Sequence, residues 1–380
     1  MRLVPADLSA LKRNNFDTIR LAMALLVVWS HSFALYYGSE ASEPLSILMG
    51  GTYDSGNLGV LVFFVISGFL ICHSYFNCKN VLQFLNRRVR RIYPGYMAAT
   101  LIGAFVIVPL FSSRTLNDYS ISEILKAFGL NLLLQNYIPP TDVFGKGVIN
   151  GSLWSIPYEF WCYLGLAMLG ITCVLSKRAI CVAIIVATLA GRFWLDLTGR
   201  KPGGGFVGLI IGWPYLWFAI LPCFMCGVVA YLYRDALPRS RWLLIGGLLL
   251  LVLAANLPAE PLSRKLITDL LFPPLIAYAT FYLAFSKTIK LHDAARWGDF
   301  SYGTYLYAFP IQLMLLASLG KDIAFPLYVV LSMVLSLTAG VISWHLIECW
   351  FLPSRRRHPV AKLDPKPSLP SLGEQKIASQ

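Results

Sequence analysis

The sequence predicts an all-α, polytopic integral membrane protein of about ten transmembrane helices, with both termini cytoplasmic. Of its 380 residues 57% are hydrophobic and only 13% charged. The apolar residues recur in runs of about twenty, the length that crosses a hydrocarbon core of about 30 Å. The predicted spans are 16–37, 57–78, 92–111, 152–175, 179–198, 213–233, 242–257, 267–285, 299–319 and 323–352. Several contain Pro or Gly, which membrane helices tolerate when neighbours satisfy the freed backbone groups. Orientation follows from Lys and Arg. With the N-terminus inside, 23 of the 32 basic residues fall on the inner side, Arg20 included, and 9 on or near the outer side.

The first span is expected to remain in place. It is too long for a signal peptide, contains His31, and precedes no small-residue cleavage site. Within FDTIRLAMALLVVWSH, Arg20 and His31 are eleven residues apart, about 16 Å along a helix and about half the bilayer core. Neither side chain is cheap in hydrocarbon, so both are candidates for chemistry. His31 is expected in the outer half, where a neutral imidazole can accept a proton from an attacking hydroxyl near pH 7. The plainer reading is a histidine bonded to a helix carbonyl.

The second span, GNLGVLVFFVISGFLI, offers Gly56, Gly59 and Gly68. Such small residues let helices approach closely. The same approach would shape a narrow channel lined by Ser67. At the inner start of the third span, FLNRRVRRIYPGY places Arg87, Arg88, Arg90 and Arg91 within five positions, closed by Pro94. Topology accounts for one or two of these. Guanidinium forks suit phosphates by bidentate hydrogen bonding, so a phosphate-bearing cytoplasmic cofactor is the candidate ligand.

Residues 112–151 form the longest outer loop, and its amphipathic stretch ISEILKAFGLNLLLQ is expected to lie along the membrane surface or cap a cavity, near the acceptor site. In the fourth span, SLWSIPYEFWCY sets Glu159 some 10 Å below the outer surface, at a depth similar to His31. A carboxylate there needs a partner or a proton. Orienting His31, bonding the acceptor, pairing with an arginine and a purely structural ion pair all remain open. Cys223 and Cys226 form a CxxC, but between Pro222 and Gly227 in an apolar helix they read as structural, and no metal site is expected. In the ninth span, GDFSYGTYLYAFPIQ supplies Tyr302 and Tyr305 as further channel-lining candidates.

The chain closes on HLIECWFLPSRRR and a basic, Pro- and Ser-containing stretch. Residues 354–380 are thus expected to be a disordered cytoplasmic tail beyond one transmembrane domain, 1–353. The net charge of +13 reads as topology plus attraction to anionic lipid, with no nucleic-acid partner expected. Most of the eight cysteines fall in spans or on the cytoplasmic side, where thiols stay reduced.

Taken together, these strings resemble the acyltransferase-3 family of integral membrane acyltransferases, which decorate sugars of surface polysaccharides, lipopolysaccharide and related glycolipids. The matching pieces are Arg20 with His31, FFVISGFLI, RRVRR before IYP, SLWSIPYEF, SYGTYLYAFP and HLIECWFLPSRRR, in order across residues 14–357. The resemblance implies ten helices around a transmembrane passage, with acyl coenzyme A entering from the cytoplasm. Arg20 and His31 match the family's essential pair, Arg88 with Arg91 its RxxR, and Glu159 the acidic residue after the SLW string. Ala308 stands where many members carry a histidine. No fused periplasmic domain of the kind common in the family is read here.

The function expected from residues and resemblance together is O-acyl transfer at a bacterial inner membrane. Acetyl-CoA, or another acyl-CoA, would donate to a hydroxyl of an exported or lipid-linked surface glycan. His31 would be the general base, with Glu159 and Arg20 completing the catalytic set and Arg87, Arg88, Arg91, Ser67 and Tyr302 holding the donor. A covalent acyl-histidine is the second mechanism. The alternative from another class is a proton-coupled glycan transporter or flippase, with His31, Glu159 and Arg20 as a relay. A transporter would more often show paired broken helices in two related halves, which are not visible. The acyl group, the acceptor sugar and the oligomeric state are not legible in the sequence.

Overall fold

The computed structural model describes residues 2–4, 14–114, 118–137, 139, 141–145, 147–286, 288–289 and 297–352. The tail expected at 354–380 lies outside them. The described chain is helical, and each predicted span overlaps a helix. These are α1 (Phe16–Tyr37), α2 (Ser55–Phe76), α3 (Val81–Phe111), α4 (Ile156–Ile171), α5 (Arg178–Leu197), α6 (Pro214–Leu232), α7 (Arg241–Ala255), α8 (Pro261–Ala284), α9 (Ser301–Leu319) and α10 (Phe325–Phe351). Seven of them are long and apolar enough to cross a membrane: α1, α2, α3, α5, α6, α8 and α10. Of the others, α4 and α7 are short, and α9 carries Tyr302, Tyr305, Tyr307 and Gln312 among its apolar residues.

Two helices differ from their predicted bounds in ways that matter. α3 begins at Val81, where the Asn80 side chain caps Gln83 N at 2.8 Å, so the four arginines lie within the helix instead of preceding it. At 100° per residue Arg87, Arg88 and Arg91 share one face. Arg90 points away, is exposed, and bonds Asn86 Oδ1 at 3.1 Å. α4 is preceded by a tight turn over Gly151–Ser155, set by the Asn150 side chain accepting from Ser152 N. Asn150 Nδ2 in turn donates to Leu306 O on α9, and the ring of Phe309 fills the space where a Cβ on Gly151 would sit.

The core gathers around α2. At its crossing with α6, a Cβ on Gly68 would come 1.9 Å from Phe224 O, and one on Gly227 would come 2.1 Å from Val65 O. The two backbones therefore touch, as small residues permit. The same holds between α9 and α10, where a Cβ on Gly303 would meet Gly340 Cα at 2.9 Å. Peripheral helices do the reverse. α5, α7 and α10 leave Val186, Leu249, Leu253, Val334 and Leu335 exposed, a surface that suits hydrocarbon and not water.

Two clusters of polar and charged groups tie helices together. Lys265 Nζ binds Asp196 Oδ2 at 2.8 Å and Asp269 Oδ2 at 2.5 Å, and Arg192 Nε binds Asp196 Oδ2 at 2.9 Å, joining α5 to α8. Between α1 and α2, buried Glu43 accepts from Trp29 Nε1, Ser46 N and Ser55 Oγ at 3.0, 2.8 and 2.7 Å.

The amphipathic stretch forms a helix over Ile121–Leu132 with a Ser120–Glu123 capping box. Its C-terminal end is fastened to α3. Tyr93 OH donates to Leu132 O (2.9 Å) and Tyr96 OH to Asn131 Oδ1 (3.0 Å). Tyr93 is eighteen residues, about 27 Å, before the end of α3. The segment therefore descends beside α3. Non-helical backbone at such depth must be buried in protein. Leu134, with φ 63°, is buried, and Asn136 N donates to Tyr96 OH at 2.6 Å.

Candidate active site

A cavity of about 350 Å³ opens within the bundle. α1 contributes Arg20, α2 Ser67, α3 Arg87, Arg88 and Arg91, the start of α4 Ser155, Glu159 and Tyr163, and α9 Ser301, Tyr302 and Tyr305. Val60, Phe63, Phe64 and Ile66 supply an apolar wall. Arg20 and Ser301 stand near the starts of α1 and α9, and Leu352 just beyond α10, so this end of the cavity lies where sequence reasoning expects the cytoplasm.

At the mouth, Asp299 Oδ2 receives both Arg20 Nη1 (2.7 Å) and Arg91 Nη2 (2.6 Å). Arg91 Nη1 is also 3.6 Å from Glu348 Oε2. Arg88 differs: its Nη2 donates to Ser74 Oγ at 3.3 Å, and its Nε is buried without a hydrogen-bond partner. Deeper in, Tyr163 OH donates to Glu159 Oε1, and Ser67 Oγ lies 3.4 Å from both groups. Tyr302 OH donates to Ile92 O (2.8 Å), while Tyr305 OH donates to Ser152 O (2.6 Å) and meets Ser155 Oγ (2.7 Å). The arrangement is a cationic mouth leading to a pocket of hydroxyls around one carboxylate.

Seven of the eight residues given catalytic or donor-holding roles from the sequence line this cavity: Arg20, Ser67, Arg87, Arg88, Arg91, Glu159 and Tyr302. His31 does not. Its ring stands edge-on to Phe309, centroids 5.3 Å apart, and its Nδ1 is buried without a hydrogen-bond partner. Phe309 is one turn beyond Tyr305 on α9, and Tyr305 lines the cavity. The sequence expects Glu159 at a depth similar to His31. In the structure Glu159 lines the cavity with Tyr163 and the arginines, and His31 is not among the lining residues. Beside His31, Ser30 Oγ donates to Asp54 Oδ1 at 3.1 Å, and Asp54 caps α2.

A family model for an acyltransferase domain, acyltransferase-3, covers residues 13–345. The chain belongs to the acyltransferase-3 family. It is similar to an O-acetyl transferase of Shigella phage Sf6, 27% identical over 358 residues covering 93% of this chain and 99% of that one. It is also similar to nodulation protein 10 of Rhizobium leguminosarum bv. viciae, 29% identical across 88% of this chain and 92% of that one. A shorter match, 34% identical over 113 residues, is to the acyltransferase MdmB of Streptomyces mycarofaciens. No solved structure matches.

As a membrane acyltransferase, the protein needs an acyl donor and an acceptor. The residues that sequence reasoning missed are Asp299, Glu348 and Tyr163. All three stood in strings already singled out, GDFSYG, HLIECW and SLWSIPYEFWCY. Acidic residues bordering apolar runs are a signal for buried ion pairs.

Proposed function

We propose that the protein is a multi-pass O-acyltransferase of a bacterial cytoplasmic membrane, both termini inside, moving an acetyl group from acetyl-CoA to a hydroxyl of an exported or lipid-linked surface glycan. The observation that carries this reading is the cavity itself, a row of arginines at one end and a pocket of hydroxyls and Glu159 beyond it. Guanidinium forks fit the donor's phosphates. About 350 Å³ is near the lower end of small-molecule sites, roughly 300–1,000 Å³, so it suits the narrow pantetheine arm with the nucleotide left at the mouth. The whole-length similarity to an O-acetyl transferase supports acetyl as the group.

In this reading the acceptor hydroxyl reaches His31 from the outer side. The imidazole takes its proton as the oxygen attacks the thioester carbonyl, the tetrahedral intermediate collapses with cleavage of the C–S bond, and the thiolate leaving group takes the proton back from the imidazolium. The unpartnered Nδ1 of His31 leaves a ring nitrogen uncommitted. His31 is not among the lining residues of this cavity, so the thioester must reach beyond them.

The test is purified protein in lipid nanodiscs, assayed for acetyl-CoA consumption with a glycan acceptor, alongside mass spectrometry of surface glycans from cells with and without the gene. Thioester consumption and a mass difference of one acetyl unit are expected. His31→Ala should abolish both while inserting normally, since Ala accepts no proton but is tolerated in a span. Acylation at the wild-type level in that variant removes the base assignment. Glycan movement without thioester consumption would restore the transporter reading.

A further inference from the structure

The three guanidiniums that α3 presents to the cavity are not in the same electrostatic condition. Arg91 is bound by Asp299 at 2.6 Å, lies 3.6 Å from Glu348, and packs over the Tyr302 ring at 5.2 Å. Asp299 is itself fully engaged: the oxygen that holds Arg91 also holds Arg20, and the other accepts from Ser301 Oγ at 2.5 Å. Glu348 is buried, accepts from Ser343 Oγ at 3.0 Å, and sits in a π-helical turn of α10, Trp344–Glu348. Such turns recur at functional sites. With Asp17 Oδ1 3.8 Å from Arg20 Nη1, two cations and three anions thus close an ion-pair knot that ties α1, α3 and α10 to the start of α9.

Arg87 and Arg88 stand outside that knot. Among the described residues neither has a carboxylate at ion-pair distance. Arg88 carries a buried Nε with no acceptor, and its guanidinium lies over the rings of Phe84 and Tyr163 at 5.8 and 5.9 Å. A half-buried guanidinium with an unused donor is costly unless an anion completes it.

We propose that Asp299 is a positioning residue of the donor site: by clamping Arg20 and Arg91 it withholds them from the ligand, so that Arg87 and Arg88 take the donor's phosphates. The proposal rests on reading the cavity as the site of a nucleotide-bearing thioester. It divides the arginine pair 88 and 91, which the sequence treats as equivalent, into one ligand-binding and one structural member. It also moves Arg20 from direct chemistry to organisation of the mouth. An incoming phosphate meets in Arg20 and Arg91 charges already compensated by carboxylates, whereas Arg87 and Arg88 carry theirs uncompensated among the described residues.

The experiment uses the full chain in nanodiscs, with coenzyme A as the calorimetric probe across a salt series and with acyl transfer measured in parallel. Arg87→Ala combined with Arg88→Ala should weaken coenzyme A binding by about tenfold or more. Asp299→Asn should keep the affinity within about threefold or tighten it, and steepen its salt dependence, because a net positive charge is released at the mouth. The same variant should lower kcat by about tenfold, since the thioester is then held out of line. Asp299→Glu keeps the charge and serves if the asparagine variant does not fold. It should show the wild-type salt dependence with an intermediate kcat.

The proposal is overturned if either Asp299 variant weakens coenzyme A binding as much as the double alanine, which would put Arg20 and Arg91 in the phosphate site. It is overturned equally if Asp299→Asn leaves affinity, salt dependence and kcat unchanged, as a mere packing contact would. Both outcomes leave the donor reading standing. If the wild-type protein shows no saturable coenzyme A binding, that reading and the proposal fall together.

Discussion

A carboxylate bonded by a tyrosine and facing a serine has a different task from one paired with an arginine. Glu159 accepts from Tyr163, with Ser67 Oγ at 3.4 Å, and no arginine reaches it at ion-pair distance among the described residues. Glu159→Gln keeps an acceptor for the tyrosine and removes the charge. If the charge assists turnover, kcat should fall by about tenfold while thermal stability is preserved, and the full rate in that variant would strike Glu159 from the catalytic set. Glu159→Ala should instead cost about 1–3 kcal/mol, because it strands a buried hydroxyl, and thermal melting would register it. At this scale much was legible, because arginines and a glutamate interrupting apolar runs are conspicuous, and such residues line the cavity. What stayed hidden was partnership. Arg91 and Asp299 are 208 positions apart, and nothing local to either names the other. That His31 falls outside the cavity lining was hidden too, since periodicity gives depth along one helix but not which side chains the neighbouring helices gather around a cavity.

Helices meet here through contacts that permit no side chain. Gly68 of α2 lies against Phe224 O, and Gly227 of α6 against Val65 O, so an added Cβ would collide with backbone, which cannot rotate away. Gly68→Val or Gly227→Val should therefore sit at the upper end of overpacking costs, about 3 kcal/mol, with a clear drop in melting temperature in detergent. Gly246→Val on peripheral α7, where nothing lies within 4 Å, is the matched control and should change little. An unaltered melt for the Gly68 variant would contradict the close α2–α6 contact. Existence of the elements followed from the sequence because apolar runs of about twenty are hard to mistake. Their ends did not. Hydropathy marks where hydrocarbon begins, whereas α3 continues eleven residues outside its predicted span on a polar, capped stretch, carrying the arginines with it. The helix over Ile121–Leu132 was legible as amphipathic, yet its descent beside α3 depends on Tyr93 and Tyr96, whose hydroxyls give no sign in the sequence of what they bond.

Across the whole molecule, the asymmetry of basic residues and the position of the cavity make one joint claim. If the end bearing Arg20, Arg87 and Arg88 is cytoplasmic, the donor enters there and the outer face serves the acceptor. Single cysteines in a background lacking the eight native ones can test this with a membrane-impermeant thiol reagent. Lys79→Cys, exposed just before α3, should label only from the inside, and Lys321→Cys, exposed between α9 and α10, only from the outside. Arg87→Cys should label from the inside and be protected by coenzyme A, which would link the cavity mouth to the donor and not merely to the cytoplasm. Glu159→Cys is the discriminating position. From sequence depth alone it would share access with His31 from outside, but it lines the same cavity as Arg87. It should therefore label from the inside, with protection by coenzyme A matching that of Arg87→Cys. Labelling of Glu159→Cys from outside, with Arg87→Cys reached only from inside, would mean that the cavity is closed to its arginine mouth and that the donor cannot approach by this route.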